Sequence, residues 1–467
     1  MYWIRIGGKC VNRSLEFLES VDRMRDTPFL EFVMSRARQS LLDYLAVTSA
    51  GAKFQSDKLK KYYEFVMPEK GNFTVIGTGQ KFVLKEAVYL NGLNAHALDF
   101  DDGTNSGIIH LGSPIFSLLL PLAQRYDIKL EDMLKAAVIG YEASYTMAVS
   151  IQPGHKRMGY HATGTCGTLG ATLAASYMLG FSEEERFQAF ACACVAASGM
   201  LKVLDDGSEL KPYNVAKTAL LSLTAIQMAK AGFKGHPDPL GGRGFFKMMT
   251  GKEDIDLKPV LLNGTYAIMK SYTKPYASCR YTHPSVEAAI DIRNQYGLKE
   301  DDIERIDVRT YSLAVSGHDH TEIPGSYSAK MSIPYSTAVG LIFGKAGLHE
   351  FSEEMIKNTK VIELTKKIHV TADPDLSDEF PKIQAAVVDV LANGTKYSKR
   401  VDFPKGEPEN PLNAKEFRDR YNELMRYAGI KEDVFDKIFN LVYEKHTSVS
   451  DILNLFEGGE SSESKSK

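Results

Sequence analysis

The segment 91–114, NGLNAHALDFDDGTNSGIIHLGSP, holds the residues of this sequence that are best suited to proton transfer. It contains three carboxylates and two histidines, and apolar residues alternate with the acids. Asp99 and Asp102 are three residues apart, so on a helix they would share a face at a repulsive cost of roughly 0.2–0.5 kcal/mol. The stretch 103–112 then interrupts the helix with glycines and returns His110 towards the carboxylates. Such crowding predicts acid–base chemistry.

Each residue of this segment has a chemical role and an ordinary alternative. His110 is the first candidate for a general acid or base, because an unperturbed histidine titrates near neutral pH. Asp99 or Asp102 could orient that histidine or hold a proton, and burying them together would raise the pKa of one carboxyl. The alternative is that Asp101 and Asp102 only cap the end of a helix or loop. His96, before the acids, is interpreted as structural.

A second candidate region begins at His161. The stretch 161–181, HATGTCGTLGATLAASYMLGF, is dense in small residues and predicts a central helix that packs closely against its neighbours. His161 would open this helix, where unpaired backbone N–H groups attract anions. A bound carboxylate would then contact His161 and Thr163 together. The alternative is that Thr163 or Thr165 only caps the helix.

Helices must position these residues, because helical periodicity extends over most of residues 14–264. The clearest example is 29–51, with apolar residues at i, i+3 and i+4. This helix is expected to end at Gly51, in the usual role of a capping glycine.

Beyond Lys270 the pattern changes, and three segments favour strands. Residues 303–315 partly alternate between apolar and polar, and 361–372 is a less regular candidate. In 385–403 two β-rich runs flank Asn-Gly, a favoured hairpin turn. A helix over 284–296 is expected to cover one face of the sheet.

Together these elements predict a mainly α fold with an inserted α+β domain. Both chain ends form a large all-helical domain, from residues 14–268 and 405–456, with Asn413 as the N-cap that restarts the helices. Residues 269–404 form a smaller lid domain with a mainly antiparallel sheet. The Ser-rich end, 457–467, is expected to be disordered.

The composition limits the partners. The formal net charge is −3, with 44% apolar and 25% charged residues, as in ordinary globular proteins. No global basic field exists to attract nucleic acid, and no apolar run is long enough to span a membrane. Five cysteines without a CxxC pair fit a reducing compartment, so a cytoplasmic location is expected.

Six motifs in order resemble the MmgE/PrpD family, which includes 2-methylcitrate dehydratase, cis-aconitate decarboxylase and iminodisuccinate epimerase. They are HALDFDD with the following HLGSP, GYHATGTCGTLGA (159–171), DGSELKPYNVAK (206–217), LGGRGFF (240–246), KPYASCRYTHP (274–284) and SIPYSTA (332–338). The resemblance implies a helical domain and a smaller lid domain with the site between them, usually in a homodimer. It also implies chemistry on small polycarboxylates without a metal or cofactor.

The resemblance also assigns roles to the residues that match its motifs. The expected catalytic residues are Asp99, His110, His161, Lys211 and Lys274, with the lysines as clamps for substrate carboxylates. Substrate contacts are expected from a wider set, namely Asp102, Thr104, Thr163, Lys217, Arg280, His283 and Tyr335. The ordinary alternatives are surface positions for the lysines and a core position for the tyrosine.

Reactions of this family begin with proton transfer at a carbon beside a carboxylate. The leading expectation is therefore a lyase of the 2-methylcitrate dehydratase type, a hydro-lyase. A decarboxylase or an epimerase of a related polycarboxylate is the alternative. The sequence departs from the common family pattern at Gly103, Asn214 and Lys217, where threonine, histidine and arginine are frequent, so the substrate stays open.

Two alternatives belong to other classes. The pairs Asp101–Asp102 and Asp205–Asp206 are similar to carboxylate pairs that hold Mg²⁺ for diphosphate chemistry, although no basic diphosphate-binding signature accompanies them. The other alternative is an inactive helical scaffold. Such scaffolds usually show repeats of roughly 20–50 residues, and the sequence shows no such period.

Overall fold

The computed structural model describes residues 4–6, 9–25, 28–203 and 208–457. The α-helices of these residues are α1 (Arg13–Arg25), α2 (Glu31–Phe54), α3 (Ser56–Val66), α4 (Leu84–Ala95), α5 (Gly112–Tyr126), α6 (Leu130–Ile151), α7 (Gly154–Arg157), α8 (Ala162–Met178), α9 (Glu183–Ala196), α10 (Lys211–Lys230), α11 (Phe245–Thr250), α12 (His283–Tyr296), α13 (Ser312–Val315), α14 (Ser326–Met331), α15 (Ile333–Phe343), α16 (Thr359–Lys366), α17 (Pro374–Glu379), α18 (Ala414–Tyr427), α19 (Glu432–Tyr443) and α20 (Val449–Leu453). The strands are β1 (Ile4–Ile6), β2 (Lys9–Val11), β3 (Lys70–Val75), β4 (Gln80–Phe82), β5 (Ile303–Thr310), β6 (Ile368–Ala372), β7 (Ala386–Ala392) and β8 (Thr395–Val401). The Asp205–Asp206 pair and the tail from residue 458 lie outside the described residues.

Helix α8 lies at the centre of the helical part, as its small residues predict. Its residues from Ala162 to Ser176 are buried, and it packs against α5, α6, α9 and α10. The crossing with α6 is close, because a Cβ at Gly170 would lie 1.8 Å from Ser144 Oγ and 2.6 Å from Gly140 O. Glycine costs a helix about 0.5–1 kcal/mol, and this close packing offsets the cost.

Two expectations about the helical part are wrong. Helix α2 continues through Gly51 to Phe54, so Gly51 is not its cap. The glycine instead allows α4 to approach, because a Cβ there would lie 2.0 Å from Asn94 O. This part is also not all-helical, since β3 and β4 form an antiparallel hairpin whose turn contains Gly77 and Gly79 at positive φ.

The C-terminal helices return to the N-terminal ones. Asn413 caps α18 in a capping box, as the sequence predicts, and α18 and α19 pack against α2 while α20 packs against α5. Arg420 of α18 pairs with Asp43 of α2 and donates hydrogen bonds to Lys274 O (2.6 Å) and Phe100 O (2.9 Å). One buried guanidinium thus ties the C-terminal helix to the two segments that carry the site described below.

The α+β part contains a four-stranded sheet in the order β6-β5-β7-β8. Strand β5 pairs in parallel with β6 and antiparallel with β7, and β7 pairs antiparallel with β8. The mainly antiparallel sheet is therefore confirmed. Asn393 and Gly394, both at positive φ, form the predicted hairpin turn between β7 and β8. Helix α12 packs against these two strands and covers one face.

The predicted fold class, mainly α with a smaller α+β portion, is confirmed. The strand predicted over 303–315 ends at Thr310, and the candidate over 361–372 is a strand only in its last five residues, after α16. The predicted domain boundaries stay predictions. None of the helices in the described residues is both long enough and apolar enough to cross a membrane.

Candidate active site

The acidic segment forms a loop, residues 96–111, between α4 and α5; we name it the acid loop. The prediction that Asp99 and Asp102 share a helical face is therefore wrong. Helix α4 ends at Ala95, and Asp99 adopts a left-handed backbone with φ of 50°, a conformation that aspartate tolerates better than most residues. The acids consequently face different partners, although all of them are buried.

Asp99 is the centre of the site. Its Oδ2 lies 2.8 Å from Lys211 Nζ and its Oδ1 lies 3.0 Å from Lys274 Nζ. Lys274 also donates to Asp99 O at 2.5 Å. Lys211 is the first residue of α10, directly before a proline that suits a helix start. Lys274 comes from the segment before α12.

The charges of this cluster stabilise one another. Burial alone would raise the pKa of Asp99, but Lys211 and Lys274 lower it well below its usual value. Burial alone would likewise lower the pKa of Lys211, but Asp99 raises it. Asp99 is therefore an anion and Lys211 a cation at neutral pH.

His110 is held at three points beside Asp99. Its backbone N–H donates to Thr163 Oγ1 at 3.1 Å, and its Nδ1 lies 2.8 Å from Asp102 O and 3.3 Å from Asp101 Oδ2. Because a carbonyl oxygen only accepts, Nδ1 carries the proton in this arrangement. Nε2 is then the free nitrogen, 3.7 Å from Asp99 Oδ1, where it is able to accept a proton from a ligand.

Asp101 and His96 support His110 from behind. Asp101 accepts from Ser113 Oγ at 2.6 Å and contacts His96 Nδ1 at 2.8 Å, and the His96 and His110 rings are 4.5 Å apart. Burial lowers the pKa of His96 to about 4, although Asp101 opposes the shift. His96 is therefore neutral, in agreement with the structural role that the sequence suggests for it.

His161 immediately precedes α8, as the sequence predicts, and faces the same cavity. Within the described residues its buried Nδ1 has no hydrogen-bond partner. Burial and then the charge of Lys211 lower the pKa of His161 well below its ordinary value. The neutral imidazole of His161 is thus available at the cavity, and a bound acidic ligand would supply the hydrogen bond that its Nδ1 lacks within the described part of the chain.

The cavity lies between the helical part and the α+β part, and its lining is rich in cations. The polar lining residues are Asp99, Thr104, Asn105, His110, Gln152, Lys156, Tyr160, His161, Lys211, Tyr272, Lys274, Cys279, Arg280, Tyr281, His318 and Gln384. Arg280 pairs with the buried Glu407, but its Nη1 remains buried without a partner in the part of the chain that the structure describes. The lysines and Arg280 outnumber the ionised Asp99, so the cavity suits a ligand with several carboxylates.

The five residues expected to be catalytic all line this cavity, as do Thr104 and Arg280 among the expected substrate contacts. The other five do not line it. Asp102 accepts hydrogen bonds from Tyr141 Oη (2.6 Å) and Gly112 N (2.9 Å), so it caps α5, which was the ordinary alternative. Burial raises the pKa of Asp102, as the sequence predicts for one of the two carboxyls. However, Asp102 does not line the cavity. Thr163 positions His110 instead of facing the cavity.

The remaining three expected substrate contacts outside the lining are Lys217, His283 and Tyr335. Lys217 lies almost two turns beyond Lys211 on α10, and its Nζ lies 3.1 Å from Ser198 Oγ. His283 Nε2 lies 3.2 Å from Ser278 O in the core. Tyr335 donates to Glu350 O at 2.8 Å and is fully buried. Tyr335 is therefore a buried core residue, which was the alternative to a substrate contact. Lys217 is six residues after Lys211 on α10, so the two side chains leave the helix in different directions.

The departure from the family pattern at Gly103 has a steric cause. A Cβ at this position would lie 2.4 Å from Tyr272 Oη and 2.9 Å from Ile109 O. Tyr272 N also donates to Gly103 O at 2.9 Å, which joins the acid loop to the Lys274 segment. Thr104, the next residue, lines the cavity in its place.

Four further residues near the cavity were not predicted from the sequence. Lys156, Cys279 and His318 line it. Lys330 lies beneath the acid loop, where it donates to Leu98 O at 3.1 Å and its Nζ lies 4.5 Å from the Phe54 ring centroid. Burial lowers the pKa of Lys330 to about 7. Cys279 lies within the motif 274–284, and Lys156 and Lys330 lie just before the motifs 159–171 and 332–338, so their positions carried a signal; His318 is remote from every motif.

One group of side chains has the composition of a metal site. Potential ligand atoms of His96, Asp99, Asp101 and His110 lie within 4.8 Å of one another. However, Asp99 already contacts two ammonium groups, and a divalent cation between them would be repelled. Asp101 is likewise bonded to Ser113 and His96. This donor set fits an anion held by lysines better than Mg²⁺.

The fold and the site together define a protein with a buried, cationic acid–base cavity between a helical and an α+β part. Comparison with known proteins identifies its family. The MmgE/PrpD N-terminal domain model matches residues 19–258, and the MmgE/PrpD C-terminal domain model matches residues 276–444. The chain therefore belongs to the MmgE/PrpD family, as its motifs predict.

Curated relatives match over most of the chain. The cis-aconitate decarboxylase of Mus musculus is 24% identical over 408 residues, which cover 83% of this chain and 82% of that protein. The cis-aconitate decarboxylase of Aspergillus terreus is 24% identical over 453 residues, 91% of each chain. The human cis-aconitate decarboxylase is 23% identical over 405 residues, with 83% and 82% covered.

Proposed function

We propose that this chain is a cofactor-independent lyase that acts on a small polycarboxylate. The observation that carries the proposal is the arrangement around Asp99, where two buried lysines and two histidines meet in one cationic cavity. Lysines at this position bind carboxylates and stabilise the negative charge that develops on a substrate when a proton or CO2 leaves.

In the proposed mechanism Lys211, Lys274 and Arg280 hold the carboxylates of the substrate. His110 Nε2 exchanges a proton with the substrate carbon, while Asp99 and the backbone oxygen of Asp102 keep the imidazole in its orientation. His161 is the second proton carrier, because it lines the same cavity and its Nδ1 has no hydrogen-bond partner among the described residues. The two histidines exchange roles between proton removal and proton return.

Two lyase reactions fit this site, and a different observation favours each. The names of the relatives favour loss of CO2 from an unsaturated tricarboxylate such as cis-aconitate. The presence of two separately held histidines at one cavity favours dehydration of a 2-methylcitrate-type acid, because loss of water needs both a base and an acid. Decarboxylation needs only one proton donor.

Proton NMR in D2O tests the proposal directly. Chelator-treated protein is incubated with citrate, 2-methylcitrate, cis-aconitate and smaller hydroxy or imino diacids. We expect one of these acids to be converted, and the signals distinguish water loss, CO2 loss and deuterium uptake at carbon. Activity that appears only after Mg²⁺ is restored would instead support the metal-dependent alternative, and inactivity with and without Mg²⁺ would contradict the proposed substrate class.

The role of the lysine clamp is tested by two variants on one helix. Lys211→Met removes a cation from the cavity, so we expect KM for the converted acid to rise at least about tenfold, as for loss of a charged hydrogen bond. Lys217→Met, on the same helix but outside the lining, is the matched control and is expected to keep KM within about twofold. Equal effects of the two substitutions on KM would refute the clamp, provided that both variants melt cooperatively.

The expected homodimer and the expected cytoplasmic location stay predictions. Exposed large apolar side chains at Val195, Met200, Leu210 and Tyr213 support association with a second copy, because exposed apolar patches mark interaction surfaces.

A further inference from the structure

Cys279 and His318 form a pair at the cavity wall that the proposed mechanism does not use. Cys279 Sγ lies 3.7 Å from His318 Nε2. His318 Nδ1 lies 2.9 Å from Ser316 O; the carbonyl can only accept, so Nδ1 carries a proton and Nε2 faces the sulfur. The Tyr281 ring packs edge-on against His318, with centroids 5.2 Å apart. The imidazole is thus fixed in the orientation that a proton acceptor for a thiol requires.

The surroundings of the pair favour a charged thiolate. The titratable or charged groups that interact with Cys279 are His318, Lys156, Lys211, Asp99, Tyr281 and Tyr311. Burial alone would raise the pKa of the thiol, but His318 lowers it to about 7, and Cys279 in turn raises the pKa of His318. Lysine charges at the cavity act in the same direction as His318.

The other described cysteines differ from Cys279 in each of these respects. Cys166 and Cys194 are buried, and Cys192 is partly exposed on α9. Burial raises the pKa of all three thiols. Cys279 is partly exposed and lines the cavity. A reagent small enough to enter the cavity therefore meets one activated thiol.

We propose that Cys279, paired with His318, is a nucleophilic site for covalent modification by conjugated alkenes that enter the cavity, such as unsaturated acids and their analogues. The inference needs the cavity and the Cys–His geometry, but it does not depend on which polycarboxylate the enzyme converts. Modification at this position would fill the cavity beside Lys211 and stop turnover.

The proposed reaction is a conjugate addition and needs no oxidant or cofactor. The thiolate sulfur forms a bond to the β-carbon of the alkene, and the π electrons of the double bond move to the α-carbon. The imidazolium of His318 then gives its proton to the α-carbon. The products are a thioether and a neutral histidine, so that all atoms and electrons are accounted for.

N-ethylmaleimide, a neutral conjugated alkene, is the probe, and peptide mass spectrometry measures the labelling rate at each cysteine. We expect Cys279 to react at least about fivefold faster than Cys192 at pH 7, with a rate midpoint near pH 7. His318→Asn should move the midpoint towards that of an ordinary thiol. If the pKa of the Cys279 thiol moves from about 7 to its ordinary value of 9.0, the thiolate fraction at pH 7 falls about fiftyfold. The more basic thiolate is also more nucleophilic, so the labelling rate at pH 7 should fall by only about sixfold.

A rate midpoint near 9 in the unmodified protein, or an unchanged rate in His318→Asn, would overturn the proposal. His318→Gln is the second variant, and circular dichroism verifies that both variants are folded. Labelling is independent of turnover, so its failure is distinguishable from failure of the proposed function. Fast labelling without any activity on the acid panel would refute only the function, and activity without selective labelling would refute only this inference.

Discussion

Replacing His110 by alanine is expected to lower kcat by roughly 10²–10⁴-fold, the usual contribution of a positioned general acid or base. KM should change by less than about threefold, because the carboxylate contacts come from Lys211, Lys274 and Arg280. The physical reason is the orientation of the ring: Nδ1 is bonded to Asp102 O, and only Nε2 is free to exchange a proton. Steady-state kinetics on the acid identified by NMR measure both parameters.

His349→Ala is the control for this substitution, because His349 is exposed and lies outside the cavity lining. It should leave kcat and KM unchanged. A His110→Ala variant with normal kcat and a raised KM would show that His110 binds substrate without transferring a proton. Comparison with His161→Ala then separates the two histidines: the variant that loses deuterium uptake at carbon has lost the base.

Much of the fold follows from local sequence, and the reasons are physical. The small residues of 161–181 predict close helix packing, and Gly170 shows it at the crossing with α6. The Asn393-Gly394 turn and the Asn413 cap depend only on neighbouring residues. The prediction that Gly51 caps α2 is wrong for the opposite reason: the residue that Gly51 contacts, Asn94, is remote in sequence, and periodicity alone does not reveal such a contact.

A site residue could be predicted where a sequence motif contains it. It could not be predicted where contacts between distant segments determine which side chain faces the cavity. Asp99 and Asp102 have the same chemistry and similar neighbours in sequence. The left-handed backbone at Asp99 directs one towards two lysines, and Tyr141 binds the other. His318 is 39 residues from Cys279, with no pattern to link them, so the pair becomes visible only after the chain is folded.

Replacing Asp99 by asparagine is expected to cost the protein about 3–5 kcal/mol of unfolding free energy, as when one partner of a buried ion pair is removed. Asp99 is buried, and its carboxylate balances two ammonium groups, of which Lys274 is itself buried. Urea denaturation at pH 7 measures the loss. Asp307→Asn is the control, because its pair with Arg305 is exposed, and such pairs contribute only about 0–1 kcal/mol.

The pH dependence of this loss identifies its electrostatic origin. The folded protein holds the pKa of Asp99 well below its ordinary value of 3.8, so the unfolded chain binds this proton more tightly. The contribution of Asp99 is therefore complete above about pH 5 and disappears as the pH falls through the lowered pKa. The stability difference between the unmodified protein and Asp99→Asn should be constant from pH 5 to 8 and shrink below pH 4, as far as the fold persists there.

A double substitution separates charge balance from lost packing. Asp99→Asn leaves the Lys274 ammonium buried with one fewer anion, whereas Asp99→Asn combined with Lys274→Met removes both charges. If electrostatics dominate, the double variant should lose less stability than the sum of the two single variants, by roughly 0.5–3 kcal/mol, the usual range for residues in contact. Strict additivity would mean that the two side chains act independently, which would contradict the role of Asp99 as the shared counter-ion of the cavity.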